Sequence, residues 1–168
     1  MRNQNYGRVV CVASAAGLFG NAGQANYAAA KMAILGLANT LAKEGESRNV
    51  RVNTVAPLAG SRMTATVMPP EMVEALRPEH VAGVVAWLLH ESCQANGMAV
   101  ECGAGWAAAI RRERSRGWSV QTDKLTPESV RDNLERAKDF SQGASHPSSP
   151  ADSTGVIIEV LAKHKSKL

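Results

Sequence analysis

The chain lacks most of what would mark a membrane-bound, secreted or metal-dependent protein. Its apolar stretches are broken by Lys, Glu, Arg or Asn well short of the ~20 residues that cross a bilayer, so it reads as soluble, with no membrane insertion. Its start, MRNQNYGRVVCVAS, has none of the basic, apolar and small-residue order of a secretory leader. Cysteine is scarce: Cys11, Cys93 and Cys102 are odd in number, sit in apolar surroundings and show no C-x-x-C spacing. That favours buried free thiols in a reducing interior over a disulfide frame or a zinc site. His80, His90, His146 and His164 are scattered without H-E-x-x-H spacing, and no carboxylate pair is positioned for hydrolysis, so no metal is expected. Aromatic residues make up only 4% of the chain, and its formal charge of +4 is mild. Much of that charge lies near Arg111 to Arg116 and Lys163 to Lys167, away from any aromatic platform for bases, so a solvated surface is the expectation and nucleic acid is not a partner.

What is present suffices for one cored domain and not for two, given 168 residues of which 45% are hydrophobic. The run RVVCVA at 8–13 follows Gly7 and reads as a buried strand, with Gly17, Gly20 and Gly23 in the loop beyond it. From about Gln24 to Gly45 the chain is rich in Ala and Leu, begins after turn residues and ends at a glycine suited to a helix C-terminus. RVNTVAP at 51–57 reads as a second strand. Residues 71–77 and 79–91 read as helices, the second presenting Val81, Val84, Val85, Leu88 and Leu89 on one face. GMAVECGAG then gives a third strand. Strands alternating with helices imply right-handed crossovers and a parallel sheet, an α/β class.

From Arg111 the pattern changes. A charged segment leads to Thr126-Pro127-Glu128, which offers an N-cap, a proline at the first helical position and an early acid, opening a helix to about Phe140. The Ser- and Pro-rich SQGASHPSSPADS reads as a linker, and VIIEVLAKHKSKL as a short terminal helix or strand.

Three residues suggest chemistry. Tyr27 and Lys31 stand four apart on the expected helix, so they share a face on which an ammonium can stabilise a phenolate. Ser14 lies just past the first strand, on the side where parallel sheets bind ligands, and its hydroxyl can hydrogen-bond a substrate carbonyl oxygen. Tyr and Lys at i and i+4 occur in many helices, and the spacing alone is weak. The longer string GRVVCVASAAGLFGNAGQANYAAAKMAILGLANTLAKEG, followed by RVNTVAP, resembles the short-chain dehydrogenase/reductase family over residues 7–57. The serine stands thirteen positions ahead of the tyrosine, as in that family, and Tyr27-Ala28-Ala29-Ala30-Lys31 matches its Tyr-x-x-x-Lys.

The resemblance implies that Ser14, Tyr27 and Lys31 are catalytic, with Ser14 also meeting the substrate. It implies that Tyr27 and Lys31 contact the nicotinamide end of NAD together with Ala59, Gly60, Ser61 and Arg62, with Thr64 a weaker addition. Later segments, VMPPEMVEALRPEHVAGVVAWLLHES, ECGAGW and TPESV through STGVIIEVL, resemble the branch of the family that oxidises (3R)-3-hydroxyacyl-CoA to 3-ketoacyl-CoA in peroxisomal fatty-acid β-oxidation. The final Ser166-Lys167-Leu168 matches the tripeptide read by the peroxisomal import receptor. The expected partners are therefore a 3-hydroxyacyl-CoA substrate, that receptor, and a second copy in a homodimer.

On this reading residues 1–110 are the C-terminal, catalytic half of a Rossmann-type doubly wound sheet with three strands. Residues 111–168 are a charged helical extension, linker and targeting tail. The glycine-rich turn that holds the cofactor pyrophosphate is not found here: Gly17-x-x-Gly20-x-x-Gly23 has the wrong spacing for G-x-G-x-x-G and reads as a tight loop bringing Ser14 to Tyr27. The first strand is expected at a sheet edge, with poor solubility as the consequence. Two alternatives remain: an inactive module that dimerises through the Ala-rich helix, and a reductase of another carbonyl class.

Overall fold

A computed structural model describes residues 1–60 and 68–165. They form two compact units, Met1–Ile110 and Arg111–Leu168.

The first unit is built on four strands in the order β1 (Gly7–Val12), β2 (Val50–Pro57), β3 (Ala99–Gly103) and β4 (Trp106–Ile110). β1 pairs parallel to β2, with Gly7 opposite Val50 and Val12 opposite Val55. β2 pairs parallel to β3, from Thr54 opposite Ala99 to Pro57 opposite Cys102. The crossover from β1 to β2 runs through α1 (Ala15–Phe19) and the long α2 (Ala25–Gly45); the one from β2 to β3 runs through α3 (Pro70–Ala75) and α4 (Glu79–Leu89). Alternation along the strands separates two apolar layers. Val50 and Val52 join Ala38 and Ala42 of α2, with Val9 and Cys11 against them. Val55, Val100 and Cys102 join Leu88 of α4, with Val10, Val81, Val84 and Val85 against them. β2 is therefore covered on both faces, and its Asn53 and Thr54 are buried along with its valines.

Three points differ from the sequence reading. The sheet has four strands, because Cys-Gly-Ala-Gly-Trp folds back as a tight turn: Ala104 (φ 49°) and Gly105 (φ 80°) both have positive φ, and β4 returns antiparallel to β3. Leu89 does not share the buried face of α4 but is exposed, while Leu88 is buried. α2 ends at Gly45 as expected, though in right-handed backbone (φ −84°), and the left-handed residue is Asn49 (φ 51°) after a short 3₁₀ turn. Glycine is needed at 45 for room, since a Cβ there would lie 2.6 Å from the carbonyl oxygen of Val50. Finally, the linker after α5 is shorter than it reads, since the last helix begins at Pro150 and runs to Lys165.

Two asparagines fasten the β2–β3 crossover. Asn53, buried in the sheet, donates from Nδ2 to the Ala95 carbonyl at 2.9 Å and accepts at Oδ1 from the Met98 N–H at 3.0 Å. Asn96 accepts from the Val52 N–H at 3.0 Å and donates to the Ala42 carbonyl at 3.0 Å. Backbone groups left unpaired by the loop are thus satisfied by side chains.

The second unit holds α5 (Pro127–Ala137) and α6 (Pro150–Lys165). α5 opens with a reciprocal capping box between Thr126 and Ser129. None of the unit's described residues is buried, so local capping and hydrogen bonds do much of the ordering. All three cysteines of the chain are free thiols, Cys93 and Cys102 buried and Cys11 half-buried. No helix of the described residues is long and apolar enough to cross a membrane.

Candidate active site

The site begins where β1 stops. Ala13 still donates to the Val55 carbonyl at 2.7 Å, so the chain leaves the sheet at a fixed height, and Ser14 follows in extended backbone as the N-cap of α1. Its Oγ accepts from the Ala16 N–H at 3.2 Å. That bond occupies an oxygen lone pair and leaves the hydroxyl proton to donate elsewhere.

Behind Ser14, α1 lies against α2 at very short range. A Cβ on Gly17 would sit 2.8 Å from Lys31 Cβ and 3.0 Å from the Lys31 carbonyl carbon and the Met32 nitrogen. Glycine here lets the serine-bearing turn approach the backbone of the helix that carries the lysine. Gly20 (φ 81°) and Gly23 (φ 77°) then reverse the chain so that α2 starts at Ala25. The three glycines make a folded turn, and the first of them is filled by α2 and forms no phosphate cradle.

Tyr27 is the third residue of α2, in the turn where the helix dipole is positive, and its side chain is 43% exposed. One turn later, Lys31 places its ammonium 5.7 Å from the centre of the Tyr27 ring and donates to the Val12 carbonyl at 3.0 Å. An ammonium has three donors; one anchors Lys31 to the end of β1, which leaves two to meet a ligand. The Val12 carbonyl is the participant that sequence reasoning misses, because a backbone acceptor has no residue-type signature.

The loop after β2, the strand beside β1, is held against β3 and α3. Leu58 donates to the Cys102 carbonyl at 2.7 Å and Gly60 to the Leu76 carbonyl at 2.5 Å. A Cβ on Gly60 would lie 2.5 Å from the Val73 carbonyl oxygen, so this glycine is required by the approach of α3. Ala59 and Gly60 are both half-buried. Ser61, Arg62 and Thr64, and the terminal Ser166, Lys167 and Leu168, lie outside the described residues. Among the expected site residues, the structure therefore gathers Ser14, Tyr27 and Lys31 at the junction of β1, α1 and α2.

The sequence matches a family described as short chain dehydrogenase over residues 1–73. It is 55% identical over 99% of its length to the peroxisomal multifunctional enzyme type 2 of Mus musculus, of which it covers 23%. It is 44% identical over 97% of its length to the peroxisomal multifunctional enzyme A of Dictyostelium discoideum, of which it covers 36%. Among solved structures, full-length peroxisomal multifunctional enzyme type 2 from Drosophila melanogaster superposes with a TM-score of 0.86 at 40% identity, over 97% of this chain and 30% of that one. A short chain dehydrogenase from Mycobacterium avium gives a TM-score of 0.63 at 31% identity, over 80% of this chain and 47% of the other. The chain thus spans less than half the length of each of these relatives.

Proposed function

Because this chain belongs to the short-chain dehydrogenase/reductase family, we propose that it is the catalytic half of a (3R)-3-hydroxyacyl-CoA dehydrogenase of peroxisomal fatty-acid β-oxidation. The observation that carries this is the placement of the Lys31 ammonium between the Tyr27 ring and the end of β1, beside a serine whose hydroxyl proton is free to donate. Homology to relatives named as peroxisomal supports the compartment, and the terminal Ser166-Lys167-Leu168 supports it independently.

The family works with NAD or NADP, and NAD is the cofactor we assign. The residues present fit its nicotinamide and ribose end: Lys31 has donors in reserve for ribose hydroxyls, Tyr27 is open to solvent, and Ala59 and Gly60 follow β2, the strand paired with β1. They do not supply a pyrophosphate cradle, since the Gly17 position is occupied by α2. Bound there, the dinucleotide supplies the hydride acceptor. The chain's own residues handle the oxygen. Tyr27 Oη takes the proton of the substrate hydroxyl, with the Lys31 ammonium and the N-terminus of α2 offsetting the phenolate charge. Ser14 donates to the same oxygen as it becomes a carbonyl, fixing its orientation.

Turnover of a 3-hydroxyacyl-CoA with NAD, followed by NADH absorbance, tests the assignment. Tyr27→Phe is expected to lower it at least ~100-fold, the usual scale of general acid–base catalysis, and unchanged turnover would refute the proton role. Titration with NADH, followed by its fluorescence, tests the cofactor: no binding by the purified chain would leave the second reading. In that reading the chain is a dimerising module, which the exposed apolar residues Met32, Leu37 and Leu41 along α2 favour. Sedimentation of the chain as a monomer at all concentrations would exclude it.

A further inference from the structure

The second unit brings a serine to a histidine that the sequence keeps far apart. His164, on the last turn of α6, places Nε2 3.2 Å from the Oγ of Ser119, which lies in the irregular stretch ahead of α5. Both residues are half-buried. Neither side chain has another hydrogen-bonding partner among the described residues. A hydroxyl that donates to an unprotonated imidazole nitrogen is the starting arrangement for general-base activation, because the proton can move to that nitrogen as the oxygen attacks. The imidazolium so formed sits in the last turn of a 16-residue helix, where the unpaired carbonyls favour a cation. The helix end thus supplies part of what a buried carboxylate supplies in a three-residue arrangement.

Two further features surround the same serine. The backbone N–H groups of Ser119 and Val120 meet no acceptor among the described residues. Amides at a nucleophile and just after it are well placed to stabilise an oxyanion, since they lie beside the carbon under attack. Ser119 also lies on the wall of a cavity of about 970 Å³, to which Trp118, Val156 and Val160 contribute apolar surface. That volume falls in the range of small-molecule sites, and the apolar wall suits an acyl or aryl group.

We propose that Ser119 and His164 form a second, hydrolytic centre acting on carboxylic esters with a small apolar acyl or aryl group. Ser119 Oγ adds to the ester carbonyl carbon while its proton passes to His164 Nε2. The tetrahedral intermediate collapses, the bond from carbon to the alcohol oxygen breaks, and that oxygen leaves with the proton from His164. Water then adds to the acyl–Ser119 ester, giving its proton to His164, which returns it to the serine oxygen as the carboxylic acid departs. Water is the only co-reactant.

Hydrolysis of p-nitrophenyl acetate by the full chain, followed by nitrophenolate absorbance, reads the activity. A fluorophosphonate probe, located by mass spectrometry, reads the nucleophile. Saturable hydrolysis and a phosphonyl adduct on Ser119 are expected. Ser119→Ala and His164→Gln should each lower kcat/KM at least ~100-fold, the scale of general-base catalysis, and His164→Gln should also abolish the adduct. A hydrogen bond with only a structural role gives no adduct. Should either variant fold poorly, the unaltered chain still decides: p-nitrophenyl acetate added first should protect Ser119 from the probe. Hydrolysis no faster than in buffer, hydrolysis unchanged in Ser119→Ala, or absence of an adduct on Ser119 overturns the proposal. The readout uses neither a dinucleotide nor Tyr27, so its failure is distinct from failure of that assignment.

Discussion

Gly17 and Gly83 invite the same substitution and should answer it with opposite signs. At Gly17 the new Cβ of alanine would lie 2.8 Å from Lys31 Cβ and 3.0 Å from two backbone atoms of α2. Carbon contacts are comfortable at roughly 3.5–4.0 Å, and the blocking atoms belong to a helix backbone, so α1 must retreat by about 1 Å. Overpacking of this kind costs about 1–3 kcal/mol, against which the relief of glycine's excess entropy returns about 0.5–1 kcal/mol. Gly17→Ala should therefore destabilise the first unit by about 1–2 kcal/mol. Gly83 stands inside α4 with nothing within 4 Å of its virtual Cβ, so Gly83→Ala keeps only the favourable part and should stabilise by about 0.5–1 kcal/mol. Urea unfolding followed by far-ultraviolet circular dichroism reads both: with slopes near 2 kcal/mol per molar, the midpoint falls by roughly 0.5–1 M in the first variant and rises by roughly 0.3–0.5 M in the second. Midpoints that move in the same direction would refute the packing argument for how Ser14 is brought to Lys31.

Asn53→Ala should destabilise by about 1–3 kcal/mol, because it takes the partners from the half-buried Met98 N–H and Ala95 carbonyl; an unchanged thermal midpoint would count against that. The N-terminus of α6 carries a pH-dependent cap. Asp152 accepts from the backbone N–H groups of Ser148 and Ser149, both at 2.7 Å, and these bonds, with the Ser149 hydroxyl next, hold its carboxyl below the usual range. A depressed folded value means that the cap's contribution is complete above the unfolded value of ~3.9 and is lost as pH falls through the folded one. Hydrogen exchange of the first turn of α6 should accelerate over that acid range in the parent, and in Asp152→Asn the same turn should be loosened already at neutral pH. A pH-independent exchange rate in the parent would refute the cap.

The parts of the fold that were legible in the sequence are those held by continuous patterns. β1 and β2 send residues into apolar layers on both sides of the sheet and β3 into one, so valines recur along them, and α2 and α4 repeat their apolar residues at helical spacing. β4 was not legible, because Trp-Ala-Ala-Ala-Ile carries neither alternation nor β-branched residues in its interior. It is a strand because Ala104 and Gly105 turn the chain back onto β3, and the signal was Gly103-Ala104-Gly105, read as the end of a strand when it is the middle of a hairpin. Gly45 marked the end of α2, but the reason a glycine is needed there was not legible: what it answers is the Val50 carbonyl, a neighbour made adjacent only by the return of the chain.

The same division runs through the candidate site. Tyr27 and Lys31 could be put on one face from spacing, because a regular helix converts four positions into a near neighbour without help from the rest of the fold. Their joint orientation could not, since it depends on what Lys31 does with its first donor. That donor goes to the Val12 carbonyl, the last residue of β1, which ties the helix to the strand end from which Ser14 departs. Gly17 closes the third side of this arrangement by admitting α1 to the backbone of α2. One hydrogen bond to a carbonyl and one missing Cβ thus set the relative positions of three side chains whose identities alone would leave them unassembled. Since a misplacement of about 1 Å can cost roughly 100-fold in rate, the carbonyl of Val12 and the bare backbone of Gly17 would, on the proposed assignment, act as positioning elements beside the three side chains.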